Sequence, residues 1–99
     1  MRYRFHPEGE REHLGHVAYF EAARRGLGDR YLDDFDATIA RVCEAPRRFR
    51  VVRAPDIRRA LFRVFPCSVL YRDRVGHIQV LAVMHHRQRP GYWESREQA

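Results

Sequence analysis

Between Arg58 and Trp93 the chain carries three runs rich in β-branched and aromatic residues, Arg58–Phe65, Cys67–Arg72 and His77–His86, punctuated by Pro66 and Gly76. Runs of this length bounded by turn residues predict consecutive antiparallel strands. Alternation places Ala60, Phe62 and Val64 on one face of the first run, and Arg59, Leu61, Arg63 and Phe65 on the other. In the last run Ile78, Val80, Ala82 and Met84 share a face, while Leu81 and Val83 make the second face partly apolar, as in a central strand. Upstream, Arg50–Arg53 reads as a short strand turned by Ala54-Pro55-Asp56. A sheet with an apolar face needs a covering layer, and the segment before it must supply that layer.

Two amphipathic helices answer that need. After a short strand at Tyr3-Arg4-Phe5, His6-Pro7-Glu8 reads as a helix start, with Pro7 at the first helical position and Glu8, Glu10 and Glu12 at the positive end of the dipole. Leu14, Val17, Ala18 and Ala22, with Phe20 beside them, form the expected apolar stripe, and Gly26 is the expected stop. Asp29 is the expected cap of a second helix, whose stripe is Leu32, Phe35, Ile39 and Val42 with Tyr31 alongside. Asp33, Asp34 and Asp36 are expected on its solvent side, and Pro46 ends it. The expected fold is α+β: an N-terminal antiparallel helix hairpin packed on one face of a twisted, mostly antiparallel sheet of four to five strands, as one domain over residues 1–99. The other sheet face would carry Arg59, Arg63 and His85.

Charge sharpens the picture of that open face. All 19 basic residues are arginine, and the net charge is +6. Residues 1–45 balance at −2 and residues 46–99 at +8, so the strand-forming half is the basic half. A face of this kind suits a polyanionic partner, either nucleic acid or an acidic protein segment. Cys43 and Cys67 are too few and too far apart for a disulfide framework or a zinc motif, and read as free thiols in apolar settings. The first residues hold no apolar core of a secretory signal, and the longest apolar run, Val80–Met84, is far short of a membrane span. A cytoplasmic chain with no membrane contact is expected.

With this order in place, particular residues resemble those of the RelE/ParE superfamily of type II toxin–antitoxin toxins. They are Pro7-Glu8, Tyr19-Phe20-Glu21, Gly26–Leu32, Ala45-Pro46, Arg58–Leu61, Phe65–Arg72 and Val80–Trp93. The resemblance spans nearly the whole chain. It implies a growth-inhibiting toxin, neutralised by a cognate antitoxin, that needs no cofactor. RelE-like members cut mRNA on the ribosome, whereas ParE-like members poison DNA gyrase. Cleavage at a 2′-hydroxyl needs a base, cations for the charged phosphorane and an acid for the leaving oxygen. Matched to the nuclease pattern, Arg59 takes a strand cation position, His86 the basic position after the last strand, and Tyr92 the tail tyrosine. Ser68 and Leu61 stand where nucleases carry an Arg and a Lys, which favours the ParE-like reading. Arg63 or His85 would have to compensate in an mRNA endonuclease built on Arg59, Arg63, His86 and Tyr92.

The remaining signals have bland readings beside the sharp ones. Arg58, His85, Arg87 and Arg89 are candidates to bind a target or nucleic acid. His85 equally suits a strand edge, and surface arginines are common. His13-x-x-His16 lies one helical turn apart, yet with no third ligand nearby in sequence no metal is expected. Arg47, Arg48, Arg50 and Arg53 around Phe49 fit either a basic–aromatic patch or a solvated loop. Tyr92 and Trp93 could each stack on a base; packing over the sheet is the expectation for Trp93. Cys67 reads as core filling with no cation to activate it. A plain RNA-binding module is the third functional class that these features allow.

Overall fold

A computed structural model describes residues 2–98; residues 1 and 99, the ends of the expected unit, lie outside the described residues. The elements run β1 (Arg2–Phe5), α1 (Pro7–Ala23), α2 (Leu27–Glu44), β2 (Arg50–Arg53), β3 (Ile57–Leu61), β4 (Cys67–Arg74), β5 (His77–His85) and a 3-10 helix (Glu94–Gln98). The five strands lie in the order β1-β5-β4-β3-β2. β1 runs parallel to β5 and every other pairing is antiparallel. The helix hairpin covers one face with Tyr31, Phe35, Ile39 and Val42 of α2 against Ala60, Val69, Tyr71 and Val80 of the sheet. The second face is partly closed by the C-terminal tail, where Trp93 packs on Ile57, Leu70, Leu81, Ala82 and Met84, as expected for Trp93.

The buried face of α1 differs from the apolar stripe. Leu14 is 61% exposed, and Ala18 and Ala22 face solvent, whereas Gly9, His13 and Phe20 are buried. The cause is an unfinished strand edge. β1 ends at Phe5 while β5 continues to His85, so the upper half of β5 lacks a neighbour on that side. Side chains take its place. His16 Nε2 donates to the Val83 carbonyl at 2.8 Å, Glu12 accepts from Val83 N–H at 3.2 Å, and Arg96 donates to the Leu81 carbonyl at 3.2 Å. Gly9 allows this approach, because a Cβ there would stand 3.0 Å from the Leu81 carbonyl oxygen. Polar residues thus share the inward face of α1 with Val17 and Phe20, while Leu14, Ala18 and Ala22 face outward.

Other corrections follow from unsatisfied backbone. Gly26, not Asp29, is the N-cap of α2, in a left-handed conformation at φ 92°. Glu21 of α1 accepts from Gly26 N–H and Gly28 N–H at 3.0–3.1 Å, so one helix caps the other. Asp34 is buried instead of solvated, for its carboxylate accepts the N–H groups of Arg63, Val64 and Phe65 at 3.1, 2.9 and 2.7 Å. Those three residues are therefore a loop: β3 stops at Leu61, and Phe62 and Phe65 both enter the helix-side core. In β5 a β-bulge interrupts the expected alternation. Leu70 pairs with Ala82 and Tyr71 with Val80, leaving Leu81 as the extra residue. Ile78, Val80 and Val83 consequently face the helices, while Leu81, Ala82 and Met84 face the tail.

Candidate functional site

Strand parity decides which arginines can meet. On β3, Ile57 belongs to the tail-side core and Ala60 to the helix-side core, so Arg59 projects to the tail side and Arg58 to the helix side. On β4, Cys67 and Val69 face the helices, which turns Ser68 to the tail side between them. Arg59 Nε donates to Ser68 Oγ at 3.0 Å, and the same oxygen lies 2.8 Å from His86 Nε2. Ser68 is fully buried and ties two candidate residues together. Arg50 stands directly opposite Arg59 across the β2–β3 pair, exposed and on the same face. Val52, Leu70, Met84, Pro90, Gly91, Trp93 and Glu94 complete a cleft of about 350 Å³ with Arg59.

Arg59 brings a cation to the cleft, and Glu94, which pairs with Arg53, a carboxylate. Burial lowers the pKa of His86 from the ordinary imidazole value, and the nearby Arg59 cation lowers it further, against the opposing effect of the Cys67 backbone carbonyl as an acceptor for its ring N–H. That direction favours the neutral imidazole at His86. Beside them the row Leu61–Ser68–Met84 crosses three strands without a cation, and Leu61 is exposed where a lysine was the nuclease expectation. Burial, with Asp34 close by, pushes the Cys67 thiol up to about 12, which makes it a packed core thiol and no nucleophile. Among the described residues no group of three potential metal ligands gathers.

The other candidate residues are dispersed. Arg63 sits in the β3–β4 loop beside Arg30, Asp33 and Asp34, not on the strand face with Arg59. Arg58 spends its guanidinium on the carbonyls of Arg47 and Phe49 on the helix side, so it braces the loop before β2. His85 also lies on the helix side. It lines a separate cleft with His16, Tyr19, Arg87 and Gln88, and its pKa is lowered by burial and then by His16, Arg87 and His86. Arg87 and Arg89 are exposed on the turn after β5. Tyr92 is held under the Arg96 guanidinium at 5.1 Å and donates to Gln88 Oε1 at 3.4 Å. Burial, reinforced by Glu12, raises its phenol well above the ordinary range. Sequence reasoning did not join Arg50, read with the patch around Phe49, or Ser68, read as a missing cation, to Arg59. The cross-strand register that unites them with Arg59 has no signature in the sequence.

Fold and site together define a small α+β protein that presents a cleft lined by Arg59 on one sheet face and braces the other with a helix hairpin. The family model for the ParE toxin of the type II toxin-antitoxin system, parDE, matches residues 3–90. The chain therefore belongs to the ParE toxin family within the RelE/ParE superfamily, and is the toxin component of a type II toxin–antitoxin module with an antitoxin as its cognate partner. The fold is also that of a chromosomal ParDE toxin–antitoxin system from P. aeruginosa, at a TM-score of 0.74 and 12% identity, covering 86% of this chain and 95% of that one. Comparison with curated protein sequences finds no relative. No helix among the described residues is long and apolar enough to cross a membrane.

Proposed function

We propose that this toxin arrests growth by binding DNA gyrase in the ParE manner, acting in the cytoplasm as one domain and without chemistry of its own. One observation carries the reading. Of the four residues that a nuclease would need, only Arg59 and His86 come together, and Ser68 engages both. RNA cleavage requires a proton acceptor, a phosphorane-stabilising cation cluster and a proton donor at one phosphate. Here Arg63 sits in another cleft, and Tyr92 is fastened to Gln88 and Arg96. A binding inhibitor needs only a complementary surface, and the cleft lined by Arg59, with Arg50 opposite it in the strand register, supports that reading. Induction of the chain without its antitoxin, followed by labelled thymidine and amino-acid incorporation, tests this. DNA synthesis should stop first, with broken chromosomes. Prompt loss of protein synthesis with intact DNA would refute it.

A second reading, the ribosome-dependent mRNA endonuclease, is favoured by the convergence of Arg59 and His86 on one serine. The two readings part at Tyr92. A nuclease that uses its phenol loses toxicity in Tyr92→Phe, whereas a gyrase binder keeps it.

A further inference from the structure

At the opposite end of the tail-side face, remote in strand register from Arg59 and His86, lies a second basic surface that the gyrase reading does not use. Tyr3 and Phe5 of β1 pack toward Phe35 on the helix side, so Arg2 and Arg4 project to the tail side. Ile78, Val80 and Tyr71 fix the parity of the neighbouring strands, which puts His77, Gln79, Arg72 and Arg74 on that side too. The register then builds two cross-strand rows. One is Arg2·His77·Arg74 and the other Arg4·Gln79·Arg72. A hydrogen bond from Arg74 Nε to Gln79 Oε1 at 3.2 Å confirms their common face.

We propose that this strip binds the phosphate backbone of duplex DNA, with Arg2, Arg4 and Arg74 as the phosphate contacts. Neither row contains a carboxylate. Asp73 points to the helix side and pairs with Arg47, while Asp56 is engaged by Arg72. The ion pairs elsewhere include Arg53 with Glu94 and Glu97, and Arg96 with Glu12. Arg2, Arg4 and Arg74 are exposed, and none pairs with an acid among the described residues.

Spacing selects the anion. Arg2 and Arg4 lie about 7 Å apart along β1, and β1 and β4 lie about 10 Å apart across β5. Guanidinium groups at these positions reach phosphates on both sides of a B-form minor groove about 6 Å wide. The wide minor groove of A-form RNA does not fit the same span. DNA affinity of its own would place the toxin where a topoisomerase works, yet the proposal is tested on the toxin alone.

The test is fluorescence anisotropy of the purified full chain with a labelled DNA duplex between about 50 and 200 mM salt. Combined Arg2→Gln, Arg4→Gln and Arg74→Gln should reduce the slope of log K against log salt by about 2.7, the share of three phosphates. The equal charge loss Arg24→Gln, Arg25→Gln and Arg30→Gln, at the helix turn, should leave that slope unchanged. Melting curves matching the parent show that both variants are folded; if the triple strip variant melts early, Arg74→Gln alone should still lower the slope by about 0.9. No DNA binding by the parent, equal slope losses in both sets, or RNA duplex or polyglutamate binding as tight as DNA overturns the proposal.

Discussion

Replacing Asp34 by alanine removes the single carboxylate that holds the β3–β4 loop. Its oxygens accept three backbone N–H groups at 2.7–3.1 Å, and no other described side chain supplies them. Hydrogen bonds to a charged acceptor contribute roughly 1.5–3 kcal/mol each, but Arg63 and Val64 are exposed and their amides regain water. Phe65 is buried, so its amide loses its partner outright at a cost of about 1–3 kcal/mol. Phe62 and Phe65 flank the loop and bury both rings in the helix-side core, so some of that packing loosens as well. A net loss of roughly 3–4 kcal/mol follows, a large share of the ~5–15 kcal/mol that stabilises a domain. For a chain of this size each kcal/mol lowers the melting temperature by about 4–8 °C. Scanning calorimetry should therefore place Asp34→Ala at least ~12 °C below the parent. A midpoint within ~3 °C of the parent would refute the assignment of Asp34 as the loop's anchor.

Three further outcomes follow from the packing. Burial, with a smaller contribution from His16, holds the His13 imidazole down at about 4, while the unfolded chain protonates near ~6.5. Stability from neutral His13 is thus present above ~6.5 and is lost as pH falls toward 4, at up to ~1.4 kcal/mol per pH unit; urea unfolding at pH 6.5 and 5 should differ by about 1.5 kcal/mol, and His13→Phe should flatten that slope. Gly9→Ala drives a methyl group against the Leu81 carbonyl, and the over-packing cost of ~1–3 kcal/mol should outweigh the gain in helix propensity of up to ~1 kcal/mol, read as a lower urea midpoint. Trp93→Ala should cost roughly 3–5 kcal/mol by the same measure, because the tail's apolar cover over Leu70, Leu81 and Met84 is lost.

Strand runs, the hairpin and the α2 stripe were legible because each is a local pattern of apolar residues at a fixed period. Tyr31, Phe35, Ile39 and Val42 are buried as that period implies. The α1 face was legible only in Val17 and Phe20, since its other inward residues Glu12, His13 and His16 are polar and are drawn inward by the unpaired edge of β5 and by the Tyr31 hydroxyl. Asp34 escaped notice for a related reason: its partners are backbone amides about thirty residues away. Within the site, Arg59 and His86 were found, but strand alternation carried through Phe65 set Arg63 beside Arg59. The real β3 ends at Leu61, and period-two reasoning fails beyond that point. A β-bulge likewise resets the faces of β5 in a way that alternation alone does not reveal.

The most direct measurement adds the purified toxin to DNA gyrase with relaxed plasmid and ATP, and in parallel to translating ribosomes with a defined mRNA. We expect supercoiling to fail and cleaved DNA to accumulate, with the mRNA left intact, and Tyr92→Phe to behave as the parent does. Unimpaired supercoiling together with cut mRNA would contradict the account, and would mean that Arg59, Ser68 and His86 perform chemistry instead of shaping a binding surface.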